Sequence, residues 1–421
     1  MVSPSAATCA TLENWGMVNV TCRGAIPNDG LDDTAALRNA FTAYTDGRPI
    51  YFPAGTYNVS RTAADPMELL NVSGLRLVGE NHSIPIANLS RIAVSGGLNM
   101  TSVLVATSSQ VQIENLVVDA GLKADAAIHL FRATSQTFLE NVTASGARKA
   151  GFWLHETQRA RFLQLTGASN GDASNPADGF MICGSNGATF LHTMAISNFG
   201  NGIVVLGMGH DGSYNPLNCN VTSPVLSSVV QMVGGTVEGN SGRAVLVNGP
   251  QSGVTSIEKF YMEGNGGGVE VVNGHWVHVA DNRIGVPDDP TSYAVKLKSS
   301  GGTPGTESYG CVVENNAVRK TTANLGEAII KVDPLSFSNR IIGNRYLSDS
   351  ADVPAVVDFT GSNTVQSLAF AQSATSPALG TGTWRVGDIV WNTAPTGSPA
   401  AAGWICTTAG TPGTWKAITA N

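Results

Sequence analysis

Between Gln110 and Leu206 the chain repeats a pattern without repeating a sequence. Ala127-Ile-His-Leu130 is followed by Gly151-Phe-Trp-Leu154, Gly179-Phe-Met-Ile182 and Gly202-Ile-Val-Val205. A second apolar strip lies between them, in Thr137-Phe-Leu-Glu140, Ala160-Arg-Phe-Leu-Gln164 and Ala188-Thr-Phe-Leu-His192. With Ile128, Phe152, Phe180 and Ile203 taken as equivalent, the steps are 24, 28 and 23 residues. Short alternating runs split by Gly, Asn, Ser and Asp are strands joined by tight turns, and a period of this size predicts a solenoid.

A solenoid also accommodates the length. A chain of 421 residues exceeds most single cores, whereas stacked coils pack only on their neighbours. Gly is frequent, at 48 residues, and charged residues make up only 13%, which favours strands and turns over helix bundles. The net charge is −7 and no block of Lys and Arg occurs, so nucleic acid is not an expected partner. No apolar run approaches the roughly 20 residues that span a bilayer. The first residues lack the basic start and apolar core of a signal peptide. None of the six Cys forms a CxxC pair, which argues against structural zinc. Cys9 and Cys22 can bridge locally, and buried free thiols are expected for most of the others.

At the N-terminal end, Gly24-Ala-Ile-Pro-Asn-Asp-Gly-Leu-Asp-Asp-Thr34 leads into a helical pattern over Ala35–Tyr44, with Asp33 or Thr34 as cap. Ile50-Tyr-Phe-Pro-Ala-Gly-Thr-Tyr57 follows. This order resembles the start of the pectate-lyase-like right-handed parallel β-helix proteins, a group that many phage tailspikes and secreted polysaccharide-degrading enzymes are similar to. The resemblance implies an all-β, right-handed parallel β-helix with a short N-terminal capping helix. It further implies a polysaccharide partner, a homotrimer, and an extracellular or virion-associated setting. It makes the acidic run Asp29–Asp33 a structural helix start.

Coils continue to about residue 360. A Glu-, Asp- or Gly-Asn pair recurs after each apolar strip, as in Gly239-Asn240, Gly264-Asn265, Asp281-Asn282 and Glu314-Asn-Asn316. Asn and Gly suit the left-handed turns needed there, and stacked Asn side chains can bond between coils. The predicted organisation is a lead-in over 1–18, a β-helix over 19–362, and a linker with a small Trp-rich β module over 363–421.

Alternation along a strand sorts the ladder into faces. With Ile128, Phe152, Phe180 and Ile203 inward, His129, Trp153 and His155 point outward. An outward Trp beside outward His offers a sugar a flat apolar surface with a polar rim; cover by a loop or a neighbouring subunit is the other reading. Around this platform lie Arg148, Lys149, Glu156, Arg159, Asp172 and Asp178. The step from Ile203 to the next like position, Val245, is 42 residues. An insertion that long in a solenoid usually carries function, and it holds His210, Asp211 and Tyr214. Arg243 belongs to a second group further along.

Two chemistries fit. A glycoside hydrolase needs two carboxyls, drawn from Asp172, Asp178, Glu156 and Asp211. A polysaccharide lyase acting on uronate needs a base and a cation, drawn from Lys149, His155, Arg148, Arg159 and Tyr214. The carboxylates outnumber the convincing bases, so hydrolysis is favoured. Trp153, His129, Arg148, Arg159, Tyr214 and Arg243 are the expected substrate contacts. No cofactor is expected; Asp172 and Asp178 do not form an evident calcium ligand set. A glycan-binding adhesin without catalysis is the alternative outside enzymes.

Overall fold

The computed structural model describes residues 9, 11, 13–14, 16–43, 48–61, 68–71, 74–80, 89–97, 99–107, 110–134, 136–207, 229–249, 254–286, 292–300, 307–320, 329–333, 335–347, 357–358, 364–366, 371–373, 389–392, 401–408, 410 and 413–419. The chain winds as a right-handed parallel β-helix. Each coil gives one strand to an eleven-stranded sheet, here sheet B, and one long or broken strand to a nineteen-stranded sheet A that folds over the other faces. The predicted ladder is found in register: Ile128 pairs with Phe152, Phe152 with Phe180, Phe180 with Ile203, and Ile203 with Val245. These side chains are buried in one continuous core. Phe152 and Phe180 stack with centroids 4.8 Å apart, and Phe190 meets Phe180 edge-on.

Corners hold the coils in shape. Four rows of residues with positive φ run along the helix axis. The row at the bend within sheet A reads Asn115, Asn141, Gln164, His192, Gly234, Lys259, Asp281, Asn315 and Gly343. Behind two of the rows stand asparagine ladders. Asn170, Asn198, Asn240 and Asn265 bond Nδ2 to Oδ1 at 2.7–2.8 Å, and Asn282, Asn316 and Asn344 at 2.9 Å. Within each ladder the next Asn also accepts from the preceding Asn backbone N–H, and Nδ2 also reaches a backbone carbonyl. Coil stacking therefore leaves these buried amides satisfied.

The capping helix α1 (Thr34–Ala43) starts one residue before the sequence pattern. Asp32, rather than Asp33 or Thr34, accepts the Thr34 N–H at the helix start. Asp33 instead ties the helix to the first coil: its two carboxylate oxygens accept from Ile26 N and Asn58 N. The last coil strand, Thr364–Gln366, pairs with Arg340–Ile342. A separate four-stranded sheet follows, built from Ala371–Ser373, Ile389–Asn392, Ala401–Thr408 and Thr414–Thr419. Cys9 and Cys22 are bridged, Cys311 is a buried free thiol, and Cys406 is buried. Cys183 departs from expectation, being disulfide-bonded rather than free.

Candidate functional site

The outer face of sheet B carries one aligned side chain per coil. In register this row reads His129, Trp153, Met181, Val204, Leu246, Glu270, Lys296 and Lys331. Its character changes along the axis, from aromatic, through apolar, to charged.

At the aromatic end the outward direction of Trp153 and His155 is as predicted, but the platform is not open. Trp153 and His155 are each 6% exposed. Trp153 stacks on His129 with centroids 4.7 Å apart and joins Met181, Cys183, Val204 and Leu206 in a second apolar cluster outside the main core. Burial keeps both histidines neutral; His129 is lowered to about 4, helped by the nearby His155, and His155 is also lowered.

One acid–base group survives there. Glu156 occupies a corner with φ +52° and is buried. Its Oε2 accepts from Arg132 Nε at 2.7 Å, and its Oε1 lies 3.8 Å from His155 Nε2. His129 Nε2, Trp153 Nε1, His155 Nε2 and Glu156 Oε1 are all buried without a hydrogen-bond partner among the described residues. Arg132 and Phe131 complete this pocket. Neither was flagged by the sequence, although each pairs directly with a residue that was: Arg132 holds Glu156, and Phe131 packs on His155 at 4.9 Å.

The other expected residues are spoken for elsewhere. Arg148 and Lys149 both pair with Asp125, at 2.5 and 2.8 Å. Asp172 is used by its own turn, accepting from Ser174 N, Asn175 N and Asn175 Nδ2, and these bonds hold its pKa down. Asp178 accepts from Asn201 N and Nδ2 on a single oxygen. Burial pushes its pKa up to about 6 against those bonds. Asp178 pairs with Ala150, five residues before His155, so about 16 Å of strand separates them. Arg159 sits at an exposed corner with φ +53°. Asp211 and Tyr214 lie outside the described residues.

Arg243, the remaining expected contact, anchors a cluster at the charged end. Glu270 is buried and accepts from both Arg243 Nε and the Tyr293 hydroxyl. Burial would raise the Glu270 pKa, but the bonds from Tyr293 and Arg243 outweigh it and hold the carboxyl low. Tyr293 is raised by burial and by its bond to Glu270, so it keeps its proton. Lys296 Nζ lies 5.5 Å from the Tyr293 ring centroid. The Arg243 side chain is 41% exposed, so this cluster meets solvent where the Trp153 pocket does not. A signal for it exists in the sequence. Val269-Glu270-Val271 and Val295-Lys296-Leu297 continue the inward–outward–inward rule of Phe152-Trp153-Leu154, with charges in the outward slot.

Comparison with known proteins agrees with this architecture. Residues 17–223 match the family model described as rhamnogalacturonase A/epimerase, pectate lyase-like. Among solved structures the chain is similar to the A-module of the mannuronan C-5 epimerase AlgE6 of Azotobacter vinelandii. That match has 18% identity and a TM-score of 0.59, over 83% of this chain and 97% of the module. It is similar to the tailspike of E. coli bacteriophage HK620 solved with a pentasaccharide, at 12% identity and TM-score 0.55, over 80% of this chain and 63% of the tailspike. It is also similar to the Streptococcus pneumoniae surface protein and adhesin PfbA, at 14% identity and TM-score 0.54, over 78% of this chain and 94% of that one. No curated protein matches the sequence.

Proposed function

We propose that this chain, a pectate-lyase-like right-handed parallel β-helix, binds an acidic polysaccharide along the outer face of sheet B and cleaves it by elimination. One observation carries this reading: a buried carboxylate, a tyrosine hydroxyl and two cations meet at the solvent-facing end of that face. Elimination needs a cation to draw charge from the uronate carboxylate, and a group to take the C5 proton. The C4–O bond then breaks, a C4–C5 double bond forms, and the departing oxygen gains a proton. Arg243 and Lys296 supply the positive charge. Tyr293 is the accessible member of the acid–base pair: as its hydroxyl oxygen takes the C5 proton, its own proton passes to ionised Glu270, and a proton returns along the same bond, through Tyr293, to the departing oxygen. The mannuronan C-5 epimerase module with a similar fold acts at the same carbon of a uronate polymer, which supports this assignment.

Hydrolysis, favoured by counting carboxylates, requires two free carboxyls roughly 5–9.5 Å apart. Asp172 is committed to its own turn and Asp178 to Asn201, so the geometry supports hydrolysis less. A non-catalytic glycan binder is the second reading, supported by the similar fold of the surface protein and adhesin PfbA.

The test is incubation of the full chain with polygalacturonate, alginate and dextran, following both unsaturated-uronate absorbance and new reducing ends. Both signals should rise on an acidic glycan, and Tyr293→Phe and Glu270→Gln should each lower the rate by about 100-fold or more. Reducing ends without the ultraviolet band would replace elimination by hydrolysis. Binding without either signal would leave the binder.

A further inference from the structure

A second feature lies at the corner where each coil enters sheet A. The aligned positions there are Arg159, Gly187, Val229, Val254, Trp276, Gly310 and Ser338, all with positive φ. Left-handed backbone costs a side-chain-bearing residue about 1–2 kcal/mol, and a β-branched one is a clear outlier there. Elsewhere in the coils Asn, Gly, Asp and Ser often fill such positions. Here two valines and a tryptophan do so while facing solvent: Val254 is 50% exposed and Trp276 57%. Packing within one chain does not account for large apolar groups held in strained corners and left in water.

The rings beside Trp276 form an ordered set. His275, Tyr309 and Phe337 are bridged coil to coil. His275 packs on Tyr309 at 4.0 Å, Tyr309 stacks on Phe337 at 5.5 Å with planes 8° apart, and Trp276 stands edge-on to Tyr309 at 5.6 Å. The pyrrole edge of Trp276 lies over Gly310, where a Cβ would come within 2.5 Å of Cδ1. Glycine is thus required at 310 for the indole to lie down against the coil. The last ring of the stack, Phe337, is 39% exposed. His275 Nε2 is buried beside these rings without a hydrogen-bond partner among the described residues.

We propose that Trp276, Tyr309 and Phe337 form a sugar-binding strip, separate from the sheet B face, that holds pyranose rings of the glycan chain by stacking. A pyranose presents an apolar face and a polar rim. Trp276 and Phe337 present exposed aromatic surface to such a ring, with Tyr309 packed between them. Trp276 and Phe337 lie two coils apart, about 10 Å, a span that suits about two sugar units. This inference rests on the polysaccharide reading, but it assigns retention of the chain, not its cleavage, to the strip.

Affinity electrophoresis of the full chain through gels containing polygalacturonate, alginate or dextran tests it, with Trp276→Gly, Phe337→Ala and the sheet B variant Tyr293→Phe. Glycine relaxes the left-handed corner, so Trp276→Gly should not lower the melting temperature. Wild type should be retarded by at least one glycan. Trp276→Gly should weaken that retention about tenfold, a loss of about 1.4 kcal/mol, and Phe337→Ala should weaken it too. Unchanged retention in both aromatic variants would overturn the strip while leaving the sheet B reading standing. Retention lost in Tyr293→Phe alone would place all binding on sheet B and also overturn it. A wild type that no glycan retards would overturn both. A drop in native mass on Trp276→Gly with retention intact would make the ridge a contact between copies of the chain, and would equally overturn the proposal.

Discussion

Asp178 and Asp33 are both buried carboxylates with pKa values raised to about 6 from an ordinary 3.8, yet they differ in what substitution does. Between pH 4 and 6 the folded state binds more protons at these groups than the unfolded chain. Their contribution to stability is therefore present at low pH and lost as pH rises through about 6. His129 acts oppositely in the same window: its folded value of about 4 lies below 6.5, so its contribution is full above 6.5 and is lost as pH falls. At Asp178 one oxygen accepts both bonds, so Asp178→Asn keeps the acceptor and removes the buried charge. Its melting temperature relative to wild type should climb as pH goes from 4 to 6; a difference that stays flat across that range would reject the assignment. At Asp33 both oxygens accept, so the amide would lose one bond. None of this could be read from composition. The sequence placed Asp178 beside a candidate site because its coil position was right, but the bond that occupies it comes from Asn201, 23 residues on.

At the scale of the element, the turn pattern was legible in detail. Gly239-Asn240, Gly264-Asn265 and Asn315-Asn316 were expected to be left-handed corners with stacking amides, and they are. Asn240 accepts from Asn198 N and Nδ2 and donates to Asn265 Oδ1 and Ala195 O. Asn240→Ala strands several buried groups at once and should cost roughly 3–5 kcal/mol in urea unfolding. Asn344 ends its ladder with fewer partners, so Asn344→Ala should cost less. Equal losses at the two positions would mean the bonds act locally and not as a ladder. The Trp153 strand shows the limit of such reasoning. Alternation correctly aimed its side chains outward, but outward along a strand is not the same as exposed.

For the whole molecule, stacking makes the core a file of neighbours. Phe180 touches Phe152 in the coil before and Phe190 across the core. Phe180→Ala should cost about 3–5 kcal/mol through the cavity left behind. Because each coil supports only its neighbours, a defect in mid-solenoid should weaken the coupling between the two ends. Calorimetry should show one transition in the wild type resolving into two in the variant. A single transition shifted to lower temperature would show that coupling spreads beyond adjacent coils.

The sequence alone determined the coil, its inward row and its corners. Those depend on a two-residue alternation and on which residues tolerate positive φ, and both are properties of short stretches of chain. Which outward residues form a site was decided only by the stacking of distant segments. That stacking brings Arg243, Glu270 and Tyr293 together across 50 residues and joins Trp153 to an apolar cluster from the neighbouring coils. Exposure and pairing depend on what lies one coil away, and the alternation within a strand carries no record of that.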